Sequence, residues 1–127
     1  MTYRVLVVED DTDISLAIEL NLRLDGFQVR IENDGRRALD SVLEFDPHCV
    51  IVDVVMPGRS GYEVCRDVRE HPECSKLPVL MLTAKSLPAD REAGLAAGAN
   101  AFMVKPFEPE DLVAHVIALV EPGSASK

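Results

Sequence analysis

Acidic, hydroxyl and ammonium side chains follow four of the short apolar runs in this sequence. Glu9-Asp10-Asp11 follows the first of these runs, Asp53 the second, Thr83 the third and Lys105 the fourth. Carboxylates held close together repel one another unless a cation lies among them. Carboxylate and carbonyl oxygens, together with water, are the ligands that Mg²⁺ takes in proteins. The pattern therefore indicates a cation site built from the acidic residues.

A central aspartate in such a site can be a nucleophile, because carboxylates form aspartyl-phosphate intermediates. Phosphoryl transfer depends mainly on positioning and on neutralising the charge of the phosphoryl oxygens. Mg²⁺ would neutralise one side of the phosphoryl group and Lys105 the other, while the Thr83 hydroxyl could donate to a third oxygen. The residue types thus favour phosphoryl chemistry at Asp53.

Each of these residues also has an ordinary explanation when it is taken alone. The acidic triplet could cap a helix, and an aspartate after a strand is often a turn residue. Thr83 could be a helix cap, and Lys105 an exposed lysine. Four such residues at four strand ends are a much less probable coincidence, so the set favours one site.

The elements that would position these residues alternate between strands and helices. Nearly continuous apolar runs predict buried parallel strands, a more alternating run predicts an edge strand, and a fifth short run completes the sheet. Helical spacing and capping signals fill the intervals, so the chain is predicted to be an α/β protein with a parallel sheet. The predicted strands are residues 5–8, 27–31, 49–52, 79–82 and 101–104; the helical signals are Ile14, Ala17, Ile18 and Leu22, then Asp34 before Ala38, Leu39, Val42 and Leu43, the Ser60–Glu63 capping box, Pro88 to Gly98, and a last helix from Pro109.

Composition narrows the class of partner. The 127 residues suit one domain, and 22 acidic against 13 basic residues give a net charge of −9. Such a chain should be repelled by nucleic acids and by anionic membranes. Three cysteines without a metal-binding spacing, and the absence of a long apolar run, predict a cytoplasmic protein.

The residues resemble the receiver domain of two-component response regulators, and the resemblance covers residues 3–121. It implies a three-layer (βα)5, flavodoxin-like fold with strand order 2-1-3-4-5, a receiver domain over 1–121, and a flexible tail or linker start over 122–127. The matching segments are Val5 to Asp11, Asp53 to Gly61, Leu82-Thr83-Ala84, and Gly98 to Phe107.

The resemblance also implies roles for the acidic residues. Asp53 matches the phosphoacceptor, and Glu9 and Asp10 match the acidic pair that holds Mg²⁺, for which Mn²⁺ could substitute. Asp10 would be the direct ligand and Glu9 would act through water. The main-chain carbonyl of Val55 matches the third protein ligand.

Further roles follow for the other strand ends. Thr83 and Lys105 match the residues that bind phosphoryl oxygens, and the Lys105–Pro106 bond is cis in the family. Phosphorylation would draw Thr83 inward, and Phe102 would turn into the space that it leaves. The family often has Tyr at the Phe102 position. Phenylalanine has no hydroxyl group to form a hydrogen bond, so it could respond to the switch only through a change in packing. Phe102 could instead be a static core residue.

The implied function is phosphoryl transfer from a histidine kinase or phosphotransfer protein to Asp53, which switches a surface made by the fourth helix, fifth strand and fifth helix. That surface would bind a downstream partner or output domain. Val55 occupies a position where rapidly dephosphorylating members carry a polar side chain, so a long-lived phosphate is expected. Arg91 and Asp111 match the charged dimer network of DNA-binding members, but Ala97, Asn100, Ala101 and His115 do not, so a monomer or a weak phosphorylation-dependent dimer is expected.

Other functional classes fit less well. A phosphatase of the haloacid-dehalogenase type needs a second aspartate two residues after the nucleophile, where this chain has Val55. A flavodoxin-type flavin protein would need a hydroxyl- and glycine-rich loop after the first strand, where the acidic triplet would repel a phosphate. A degenerate receiver that only binds proteins would be expected to lose Asp53 or Lys105.

Overall fold

Short apolar segments form the strands of one parallel sheet in the computed structural model, which describes residues 2–84 and 87–121. The strands pair in the order β2-β1-β3-β4-β5, and every pairing is parallel. The predicted fold class and strand order are therefore confirmed. The elements are β1 (Arg4–Val8), α1 (Thr12–Leu24), β2 (Gln28–Glu32), α2 (Ala38–Phe45), β3 (Cys49–Asp53), α3 (Gly61–Glu70), β4 (Val79–Thr83), α4 (Pro88–Ala96), β5 (Ala101–Val104) and α5 (Pro109–Val120).

Helices cover both faces of the sheet, which explains why the central strands are apolar on both sides. Along β1, Val5 and Val7 face α1 and α5, whereas Leu6 and Val8 face α2 and α3, because successive side chains of a strand alternate between faces. β3 and β4 are buried along their whole length. This packing leaves the strand ends as the places where polar groups can gather.

The helix boundaries follow the predicted signals with one correction. Ser60 and Glu63 form the predicted capping box at the start of α3, and Pro109 begins α5. Asp34, however, caps a single 3₁₀ turn (Gly35–Arg37) that precedes α2, rather than α2 itself. The predicted inner face of α2 was also wrong at Leu43, which is exposed.

The remaining sequence predictions concern cysteines, membrane segments and the tail. Cys49 and Cys65 are buried and Cys74 is half-buried, and all three are free thiols. Among the described residues, no helix has the length and apolar character needed to cross a bilayer. The predicted tail, residues 122–127, lies outside the described residues.

Candidate functional site

The carboxyl ends of four strands bring the predicted site residues to one edge of the sheet. Asp53 is the last residue of β3 and Thr83 the last of β4, while Glu9 directly follows β1 and Lys105 directly follows β5. In the sheet register, Asp53 pairs with Leu82 and Thr83 pairs with Val104. The strands therefore end level with one another, and the side chains meet beyond them.

Three carboxylates form a cluster at this edge. Glu9, Asp10 and Asp53 each offer an oxygen, and these oxygens lie within 4.8 Å of one another. Glu9 is only 1% exposed and Asp53 6%, whereas Asp10 is open to solvent. Buried carboxylates at this distance need a compensating cation.

The Lys105 ammonium provides part of that compensation. Its Nζ lies 2.8 Å from Glu9 Oε1 and 3.2 Å from Asp53 Oδ2. With all three carboxylates ionised, one ammonium leaves two negative charges, which is the charge that one divalent cation neutralises. The all-oxygen donor set also suits Mg²⁺. The residues present thus fit a magnesium ion held by Glu9, Asp10 and Asp53.

Burial shifts the protonation of the Glu9–Lys105 pair. Burial and the neighbouring Asp53 carboxylate raise the pKa of Glu9 to about 7, although hydrogen bonds from Lys105 and from the Asp11 N–H oppose this rise. Burial lowers the pKa of Lys105, but its hydrogen bond to Glu9 and the charge of Asp53 outweigh that effect, so the net shift is upward. The lysine therefore stays charged at the site.

The backbone around Asp53 is held tightly. A Cβ on Gly61, the first residue of α3, would lie 2.4 Å from the main-chain oxygen of Asp53, so only glycine fits there. The Gly61 N–H donates to the Val54 carbonyl at 2.9 Å. The start of α3 thus packs directly against the end of β3.

Val55 lies beside the acidic cluster. Its N–H is 3.4 Å from Asp53 Oδ1, a long hydrogen bond, and its side chain is 58% exposed. The residue two positions after Asp53 therefore presents an apolar side chain to solvent. The role of its carbonyl as a metal ligand stays a prediction.

Thr83 ends β4, the strand next to the Asp53 strand, and Phe102 lies on β5 beyond it. Thr83 is fully buried, and its main-chain oxygen accepts a hydrogen bond from the Lys105 N–H at 2.8 Å. The Phe102 ring is buried in the core beneath α4. The Lys105–Pro106 peptide bond is cis.

Two hydrogen bonds to Glu9 support the site and were not predicted from the sequence. The side-chain amide of Asn33, just after β2, donates to the Glu9 carbonyl at 2.7 Å. The Asp11 carboxylate caps α1 by accepting from the Ile14 N–H, as its place before that helix suggests, while the Asp11 N–H donates to Glu9 Oε2. Only the pairing of β1 with β2 brings Asn33 to Glu9, so no local pattern could have identified it.

Comparisons with known proteins agree with this geometry. The family model described as the response regulator receiver domain matches residues 5–117. A crystal structure of a putative response regulator from Chloroflexus aurantiacus is 40% identical, with a TM-score of 0.90, and the alignment covers 94% of this chain and 98% of that one.

Two further solved structures are similar over almost their whole length. The chemotaxis protein CheY4 of Vibrio cholerae is 33% identical with a TM-score of 0.88, covering 94% of this chain and 99% of that one. The receiver domain of a sensor histidine kinase from Pseudomonas aeruginosa, described with a magnesium ion in its active-site cleft, is 30% identical with a TM-score of 0.86, covering 94% and 98%. These similarities concern the fold over nearly the whole of each chain.

Proposed function

Because this chain belongs to the response regulator receiver family, whose members are signalling domains that work with histidine kinases and downstream effectors, we propose that Asp53 accepts a phosphoryl group from a histidine kinase or a phosphotransfer protein. The observation that carries the proposal is the buried Asp53 carboxylate, which lies beside Lys105 and within the acidic cluster. Mg²⁺, or Mn²⁺ in its place, would supply positive charge for the phosphoryl oxygens.

The chain's own residues would position the reacting groups. An Asp53 carboxylate oxygen attacks phosphorus as the phosphorus–nitrogen bond of the phosphohistidine breaks, and the imidazole keeps the electron pair of that bond. Lys105, now shared between Glu9 and Asp53, would then bind a phosphoryl oxygen, and the Thr83 hydroxyl would donate to another. Glu9, Asp10 and Asp53 would hold the cation, together with the Val55 carbonyl.

The phosphoryl group would change the surface formed by α4, β5 and α5. Thr83 would move toward the new acceptor and Phe102 would follow it through packing, since phenylalanine has no hydroxyl to form a hydrogen bond. Such a change is a shift between two populated states. The surface would then bind a downstream protein or output domain, with the chain acting as a monomer or as a weak phosphorylation-dependent dimer.

The chain would therefore act as a phosphoacceptor that assists its own phosphorylation and dephosphorylation, and not as an enzyme acting on a separate substrate. Three free thiols fit the reducing cytoplasm, which is where we place this function. The net charge of −9 argues against direct contact with nucleic acid or with an anionic membrane.

The test is intact-mass measurement after incubation with acetyl phosphate and Mg²⁺. The wild-type chain should gain the mass of one phosphoryl group, and Asp53→Asn, which keeps the shape of the side chain, should gain none. Asp11→Asn is the matched control, because Asp11 lies outside the cluster and an asparagine keeps the α1 cap.

Two results would contradict the proposal. Either the wild-type mass does not change, or Asp53→Asn gains the same mass as the wild type. A panel of histidine kinases, each phosphorylated first and then mixed with the chain, would identify the donor.

A further inference from the structure

The inner face of α4 lacks a side chain at its closest approach to the sheet. Gly94 is the one buried residue within α4, although glycine in a helix interior destabilises the helix relative to alanine. A residue that weakens its own helix and lies against the core is expected to provide space. The question is which group uses that space.

The group that uses it is the Phe102 ring. A Cβ built on Gly94 would lie 2.9 Å from Phe102 Cδ2, 3.1 Å from Phe102 Cε2 and 3.1 Å from Met81 Sδ. The first distance is shorter than real Cβ contacts, so even one methyl group would require the ring or the helix to move. The ring can therefore lie beneath α4 only because residue 94 has no side chain.

This contact lies on the same side of the sheet as Thr83. Met81 pairs with Phe102 across β4 and β5, and Thr83 is two residues beyond Met81. Side chains two residues apart in a strand face the same way, so Thr83, Met81 and Phe102 lie in one row. A movement of Thr83 thus bears on the side of the core that Phe102 and Gly94 occupy.

We propose that Gly94 controls the position of the Phe102 ring, and thereby couples α4 to the end of β5. The atoms nearest a Cβ on Gly94 belong to Phe102 and Met81 and not to the acidic cluster. Gly94 is therefore a positioning residue of the surface formed by α4, β5 and α5. This inference rests on the proposed function for its signalling consequence, but its structural part can be tested without phosphorylation.

The structural test compares Gly94→Ala in two backgrounds by urea unfolding. In the Phe102→Ala background the two ring contacts are absent and the flexible Met81 side chain, 3.1 Å from the added Cβ, can move into the space that the ring leaves. The alanine should then raise the folding equilibrium constant by about fivefold through helix propensity. With Phe102 present, it should lower the same constant by about fivefold or more, because the core is overpacked. Ala89→Gly, at an exposed position of α4, measures the propensity effect alone.

The ring position provides a second measurement. In the wild type, nuclear Overhauser effects should connect the Phe102 ring with the Met81 methyl group, and Gly94→Ala should abolish them. If Gly94→Ala stabilises both backgrounds equally and the ring stays against Met81, the inference is wrong. The inference is tested by whether Gly94→Ala raises or lowers the folding equilibrium constant in each background. That sign can be measured even if one variant is only marginally stable.

The signalling test uses acetyl phosphate with Mg²⁺. Gly94→Ala should be phosphorylated on Asp53 within about twofold of the wild-type rate, because the atoms nearest residue 94 belong to Phe102 and Met81 and not to the reacting groups. The phosphorylation-induced amide shifts of Leu95 and Val104 should nevertheless shrink. Wild-type shifts in the variant would overturn the inference, whereas an unphosphorylated wild type would contradict only the proposed function.

Discussion

At the scale of single residues, Glu9 and Lys105 explain how a buried acidic site exists in a folded chain. Glu9 is almost completely buried, and both of its carboxylate oxygens accept hydrogen bonds, one from Lys105 and one from the Asp11 N–H. A buried charge is tolerated only when it is paired and hydrogen-bonded. The pair therefore offsets part of the cost of burying Glu9, and the cluster still leaves a net negative charge for a divalent cation.

Val55 leads to a prediction about phosphate lifetime. Its exposed apolar side chain cannot hold a water molecule for attack on the phosphoryl group, so the wild-type aspartyl phosphate should be long-lived. Val55→Asn should speed dephosphorylation by about tenfold, equivalent to about 1.4 kcal/mol of barrier. The measurement is the decay of phosphorylated protein, followed by intact mass after removal of the donor.

Val55→Ala is the control for that prediction, because it shortens the side chain without adding a polar group. If Val55→Ala accelerates the decay as much as Val55→Asn, shielding rather than water positioning sets the lifetime. A wild-type half-life of seconds would contradict the expectation of a long-lived phosphate.

At the scale of elements, Arg69 near the end of α3 joins two loops at the other end of the sheet. Its guanidinium donates to the carbonyls of Ser75, Leu77 and Gly98 and to Asn100 Oδ1, at 2.7 to 3.2 Å. Gly98 has φ +110°, and a Cβ there would lie 2.7 Å from Arg69 Cγ. One side chain thus connects the segment before β4 with the turn before β5.

Removing this guanidinium should destabilise the fold. Arg69→Met keeps the aliphatic part of the side chain but loses all of these hydrogen bonds, so the free energy of unfolding should fall by about 2–3 kcal/mol. Arg66→Met, at an exposed position of the same helix, should change it by less than about 0.5 kcal/mol. Equal urea midpoints for the two variants would show that the Arg69 hydrogen bonds add no stability.

At the scale of the whole molecule, most of the architecture could be predicted from local pattern. Continuous apolar runs identified β3 and β4 as buried strands, and the Ser60–Glu63 pair identified the start of α3. The strand-end rule then placed Asp53 and Lys105 together, as the structure shows. Contacts that depend on the register between distant segments, such as Asn33 with Glu9, have no local signal and could not be predicted.

The contact between His48 and Arg4 also depends on the register between distant segments. It predicts that the stability of the protein changes with pH. His48 Nδ1 accepts the Arg4 N–H at 2.9 Å and the His48 ring meets Tyr3 edge-on, so the neutral ring is favoured. Burial and the nearby Arg4 charge lower the pKa of His48 below its ordinary 6.5. The stability that neutral His48 contributes is therefore present above pH 6.5 and is lost as the pH falls through the lower, folded-state pKa.

The measurement is the free energy of unfolding in urea between pH 7.5 and pH 5, and His48→Asn is the matched variant. Asparagine keeps an acceptor near the Nδ1 position but does not titrate, so the variant should lose less stability on acidification than the wild type. Parallel pH curves for the two proteins would rule out this contribution.

The close contact between Gly61 and the Asp53 carbonyl has a mechanical consequence for the whole domain. The end of β3 cannot move toward α3, because the backbones of the helix and the strand are already in close contact at Gly61 and Asp53. On the α4 side, the helix buries only a glycine. If Asp53 is phosphorylated as proposed, a displacement of its main chain toward α3 would meet backbone at once, and we therefore expect the displacement to be taken up toward α4 and β5.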